Sequence, residues 1–157
     1  MTTTIAIDPG AASGAIAAFI DNELLDVVDM PCADGKIAAV LLAAELREFA
    51  LAGMDDAPTV IVEKVHAMPG QGVVSMFGFG RSLGVIEGVV AGLGWPIVWC
   101  SPVAWKKHHG LLRQDKDAAR MLALETWPQH AATFRRKKDI GRADAALIGA
   151  YGIAVTL

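Results

Sequence analysis

Residues 3–10, Thr3-Thr4-Ile5-Ala6-Ile7-Asp8-Pro9-Gly10, form an apolar, β-branched run that ends in a carboxylate just before a turn-forming pair. Two similar runs follow at Gly14–Ile20 and Leu24–Met30, separated by Asp21-Asn22, and such short connections predict three consecutive antiparallel strands. Lys36 to Leu51 carries Leu, Val and Ala at helical spacing with Glu45, Arg47 and Glu48 between them, which predicts an amphipathic helix ended by Gly53. Thr59-Val60-Ile61-Val62-Glu63 then has the composition of a buried central strand and, like the first, terminates in a carboxylate.

The apolar pattern is helical again from Gly72 to Gly92, where Gly80, Gly84, Gly88 and Gly92 recur every four residues and share one face. A repeated helix-weakening residue implies close approach of another backbone, with packing inside the fold favoured over a dimer contact. Burial is likewise the expectation for Met76, Phe77 and Phe79. Pro96–Cys100 reads as a strand, Lys116–Trp127 as a helix stopped by Pro128, and Arg142–Val155 as a final apolar helix. Residues 129–141 lack periodicity and read as a loop. The order predicts an α/β fold, with a mixed five-stranded sheet of three antiparallel and then parallel strands, flanked by helices.

A chain of 157 residues, 54% of them hydrophobic, predicts one domain spanning 1–157. No run of 18 uncharged apolar residues occurs, and Asp8 interrupts the position of a signal peptide, so the expectation is a cytoplasmic protein, bacterial or viral, with no membrane partner. Cys32 and Cys100 stand apart in apolar sequence and read as small core residues, with no disulfide framework or zinc site. The net charge of −3 conceals an asymmetry: residues 1–105 hold 4 basic and 12 acidic side chains, whereas residues 106–142 hold 10 basic and 4 acidic. A basic segment set on an acidic body suits phosphate contacts beside a carboxylate cluster.

Asp8 and Glu63 both end strands and can emerge at one edge of the sheet, while Asp144 lies in the first turn of the last helix and Asp139 just before it. Carboxylates are hard ligands for Mg²⁺ or Mn²⁺, and a like-charged cluster is unfavourable unless a cation neutralises it. A pair of such ions about 4 Å apart activates water on one side of a phosphodiester and stabilises the leaving oxygen on the other. Each acid taken singly also fits a helix cap or a solvated side chain.

Asp8-Pro9-Gly10 with Ser13-Gly14, then Val62-Glu63, Gly80-Arg81-Ser82-Leu83-Gly84, the Pro102, Trp105, Lys106, Lys107 stretch, the Lys116 helix, and Ala143-Asp144-Ala145 resemble the framework of the RuvC-like Holliday junction resolvases. The resemblance covers nearly the whole chain. It implies an RNase H-like fold and a nuclease for branched DNA, above all the four-way junction. It further implies a homodimer and two Mg²⁺ or Mn²⁺ ions per site, with Asp8, Glu63 and Asp144 as ligands. The family commonly has a further acid at the position of Gly141; Asp139 is the nearest substitute. A lysine that assists at the scissile phosphate is also implied, with Lys107 and Lys116 as the candidates.

Lys106, Lys107, His108 and Arg113 on one side, Arg135, Arg136, Lys137 and Lys138 on the other, and Arg81 are the expected DNA contacts, to phosphates rather than base edges. Met68, in the Gly-rich loop after Glu63, is a candidate apolar wedge for a junction centre. The alternatives are a nuclease of the same fold for other branched DNA or RNA/DNA hybrids, and a catalytically silent nucleic-acid-binding module. A sugar kinase or actin-like ATPase shares the Asp-x-Gly start but needs a second domain.

Overall fold

The computed structural model describes residues 1–156, so Leu157, to which the expected domain extends, lies outside the described residues. β1 (Thr3–Asp8), β2 (Ala15–Ile20) and β3 (Glu23–Asp29) pair antiparallel as expected. Asp21 and Asn22 both take positive φ, the conformation that turns a two-residue hairpin with the twist of its strands. A longer loop, residues 9–14, joins β1 to β2. The Gly14 amide donates to the Gly10 carbonyl at 2.9 Å, and a Cβ at Gly14 would lie 2.0 Å from that oxygen, so only glycine fits there.

The helix expected from Lys36 begins later. Residues 32–37 instead fold as a small hairpin of β4 (Cys32–Ala33) and β5 (Lys36–Ile37) around Asp34-Gly35, both at positive φ, and α1 (Ala39–Ala52) follows. This hairpin corrects the reading of Cys32 as a core residue: it is exposed, with its Sγ 2.6 Å from the Ala11 carbonyl. β6 (Thr59–Glu63), α2 (Val73–Leu93) and β7 (Ile97–Cys100) come next, and β6 runs parallel to both β1 and β7. The sheet order is β3-β2-β1-β6-β7.

α3 (Pro102–His108) was not legible in the sequence pattern; Pro102 opens it and the Ser101 hydroxyl accepts from the Ala104 amide at 3.1 Å. After α4 (Ala118–Thr126), the aperiodic stretch that reads as a loop is ordered into a 3-10 turn at Pro128–His130, the single turn α5 (Ala131–Phe134) and another 3-10 turn at Lys137–Asp139. α6 (Ile140–Thr156) closes the described chain.

Strand alternation divides the core between the two faces of the sheet. Ala6, Ala17, Phe19 and Ile61 pack with Trp105, Phe134, Leu147 and Ile148, whereas Ile5, Ile7, Ile16, Val60 and Val62 pack with Leu42, Leu46, Ile86 and Val90. α6 lies close because it is made of small residues: a Cβ on Gly149 would come 2.3 Å from the Phe19 ring, and one on Gly152 2.1 Å from Ile61.

α2 behaves otherwise. Gly80, Gly84, Gly88 and Gly92 have no atom within 4 Å of where a Cβ would sit, so the expected internal packing of this stripe is overturned. Met76, Phe77 and Phe79, expected to be buried, are exposed as well, together with Val73 and Val74. α2 is also long and apolar enough to cross a membrane, by length and composition alone.

Candidate active site

β1 and β6 are in register, with Ile7 beside Val62, so Asp8 and Glu63 leave neighbouring parallel strands at the same sheet edge. α6 starts at Ile140, earlier than expected, so Asp144 lies one turn inside the helix rather than in its first turn, and it lines the same cavity as Asp8. The three carboxylates are close enough to act on one another. Burial, then the charges of Asp144 and Glu63, push the Asp8 carboxyl up to about 8; burial and Glu63 push Asp144 up to about 7. Lys106 works against both shifts. Three hard carboxylate donors in a half-dry setting that resists their ionisation fit a divalent cation by their chemistry. They stop short of a formed cage, because no group of three His, Cys, Asp or Glu among the described residues stands at metal-binding spacing.

Asp139 is not drawn to these acids. It is buried at 2% exposure, and both its oxygens are taken by Arg136: Nη2 donates to Oδ1 at 2.8 Å and the Arg136 amide to Oδ2 at 2.9 Å. Burial acts to raise its carboxyl, but the Arg136 hydrogen bonds outweigh this and hold it below the ordinary carboxylate range. Arg142 lies near the same group and forks onto Asp29 at 2.7 and 2.9 Å, tying the end of β3 to α6. Asp139 therefore caps a turn and anchors an arginine. Gly141 leaves no room for an acid in its place: a Cβ there would lie 1.7 Å from the Ser13 carbonyl oxygen.

Of the two candidate lysines, Lys116 borders the acids, lining both a cavity of about 560 Å³ shared with Asp8 and Asp144 and one of about 370 Å³ shared with Lys106 and Asp144. Lys107 does not; it is exposed and lines neither cavity, because successive helix residues point about 100° apart and Lys106 takes the inward direction. Arg136, Lys137 and Lys138 line the larger cavity and Arg113 the smaller, so basic groups flank Asp144 on two sides, while Arg135 is exposed nearby in sequence.

The remaining expected contacts lie apart. His108 stacks edge-on against Tyr151 of α6, Arg81 lines a separate groove between α2 and the Lys36 hairpin, and Met68 is 66% exposed in the loop after Glu63. Trp105 entered the sequence reading only as part of the Pro102–Lys107 stretch, with no role of its own; its indole N–H donates to Glu63 Oε1 at 2.8 Å. His109, for which the sequence suggests a phosphate contact or a helix end, stands at the end of α3 with its Nε2 2.8 Å from the Leu147 carbonyl, joining α3 to α6.

No protein-family model matches the chain. It is 32% identical over 127 residues to the chloroplastic Holliday junction resolvase MOC1 of Chlamydomonas reinhardtii, an alignment covering 77% of this chain. The chain spans only 14% of that protein's length. Among solved structures, Thermus thermophilus RuvC in complex with a Holliday junction substrate superposes with a TM-score of 0.63 at 18% identity, over 98% of this chain and 93% of that one. A second Thermus thermophilus RuvC structure gives 0.63 at 14% identity, over 99% and 97%. The resemblance read from the motifs is borne out, and the fold is the RNase H-like fold of RuvC, three antiparallel strands followed by parallel ones with flanking helices.

Proposed function

We propose that this chain is a structure-selective DNA endonuclease that resolves four-way junctions by hydrolysing backbone phosphodiesters. The observation that carries this reading is the convergence of Asp8, Glu63 and Asp144 at one sheet edge, between two basic walls, in a RuvC fold. Asp8, Glu63 and Asp144 would hold Mg²⁺ or Mn²⁺. Such an ion, or a pair of them, supplies Lewis-acid activation of the phosphate and neutralises the carboxylates.

The chain's own groups do the rest. Lys106 and Lys116 bind the phosphate next to the acids and offset the charge that builds on its oxygens. Lys137 and Lys138 hold the flanking backbone, and their contacts confer affinity that falls with salt and carries no sequence information. Met68 enters the junction centre from the exposed loop after Glu63. Two copies act together, and the open, apolar face of α2 supports a second chain as its cover.

The test is cleavage of a labelled four-way junction beside linear duplex, fork and RNA/DNA hybrid, in Mg²⁺, Mn²⁺ or chelator, by wild type and Asp8→Asn. Metal-dependent paired nicks near the crossover, absent in Asp8→Asn, are expected. Equal cutting of every substrate removes the junction assignment, and cutting by Asp8→Asn removes the carboxylate mechanism.

A further inference from the structure

α3 is seven residues long, yet it contacts the surroundings of all three acids. Trp105 is 1% exposed, and its indole N–H makes the only hydrogen bond to the Glu63 carboxylate among the described residues. The next residue, Lys106, acts on Asp8 and Asp144 and has its ammonium 5.3 Å from the centre of the Trp105 ring. One turn on, His109 meets the same ring edge-on and bonds to the Leu147 carbonyl of α6, the helix that carries Asp144. The indole is therefore clamped on both sides. A donor that cannot move fixes the rotation of the acceptor it serves, and Glu63, partly buried at the end of a strand, has no other hydrogen-bond donor among the described residues.

We infer that Trp105 is a positioning residue whose indole N–H orients the Glu63 carboxylate for the divalent cation. This rests on the reading that Glu63 is one of the groups holding that cation. Burial alone does not account for tryptophan here: phenylalanine would fill most of the volume and would leave no N–H in need of a partner beside a carboxylate.

The experiment compares wild type and Trp105→Phe by Mn²⁺ titration, following free Mn²⁺ by electron paramagnetic resonance, and by binding of a four-way junction in chelator. Mn²⁺ affinity is expected to fall about tenfold or more, the usual loss when a partner that orients a ligand is removed, with junction binding in chelator unchanged. Equal Mn²⁺ affinity in the two proteins overturns the inference. So does a matched loss of Mn²⁺ affinity and junction binding, which marks a structural role only.

If Trp105→Phe does not fold, the indole N–H resonances of the four tryptophans decide the matter. One of them is expected to shift in Glu63→Gln and to broaden on addition of Mn²⁺ to wild type, and the inference fails if none does. Failure of wild type to bind Mn²⁺, with the Glu63→Gln shift still present, would sink the metal site itself while leaving the hydrogen bond intact. The two failures are thereby told apart.

Discussion

α6 and α2 are both long apolar helices that carry several glycines, and the fold uses them in opposite ways. On α6 the glycines let the backbone settle onto Ala6, Phe19 and Ile61, so the helix that carries Asp144 is held at a fixed depth over the carboxylate edge. On α2 the same kind of stripe faces open space. Small residues at helical spacing thus announce that a close neighbour is tolerated, and say nothing of whether that neighbour belongs to the same chain. The aromatic and β-branched side chains at the start of α2, exposed rather than buried, carry the same lesson.

The largest effect expected on the α6 side is chemical. Asp144→Asn should lower junction cleavage by about 10³-fold or more, equivalent to about 4 kcal/mol in the barrier, while Glu87→Gln on α2, exposed and lining neither cavity beside the acids, should leave single-turnover cleavage within about twofold. Next comes packing. Gly152→Leu forces a side chain into Ile61 and should destabilise the protein by about 3 kcal/mol, a fall of roughly 6–12 °C in melting temperature. The matching change on α2, Gly84→Leu, should cost far less in a monomer, and equal losses at both sites would erase the contrast.

Protons sharpen the same division. Asp8 and Asp144 have carboxyls raised above their unfolded values, so the favourable protonated forms are complete below about pH 4, and stability is lost as pH rises through about 7 and 8. Melting in chelator should therefore decline across that window, and the decline should shrink in Asp144→Asn. The smallest effect is on α2 again: Gly88→Ala should stabilise dilute monomer by about 0.5–1 kcal/mol through helix propensity, yet weaken self-association measured by sedimentation if a second copy covers this face.

Much of this was readable from residue pattern alone. β1, β2, β3, β6 and β7 follow from β-branched runs bounded by turn pairs, and their parallel or antiparallel sense from the lengths of the connections. The convergence of Asp8 with Glu63 follows from strand ends, and that of Asp144 from the start of a helix. The hairpin at 32–37 was hidden because two residues per strand are too few for periodicity, and α3 because seven residues make barely two turns. Asp139 misled because its partner, Arg136, stands three residues away in a run of four bases, where local pairing competes with any more distant use. Lys106 and Lys107 could not be separated before the direction of α3 was known. Trp105 stood out in the sequence only as one residue of the Pro102–Lys107 stretch, and nothing in residue pattern links a tryptophan after β7 to the acid that ends β6.

Three carboxylates that repel one another until a cation joins them are the centre of the site, and thermal melting of wild type and Asp8→Asn near pH 8.5, in chelator and in Mn²⁺, tests this most directly. In chelator, Asp8→Asn should melt several degrees above wild type, because the change removes a buried charge from the cluster. In Mn²⁺ wild type should gain stability and Asp8→Asn little. A variant that melts below wild type in chelator, or gains as much as wild type from Mn²⁺, would contradict the account.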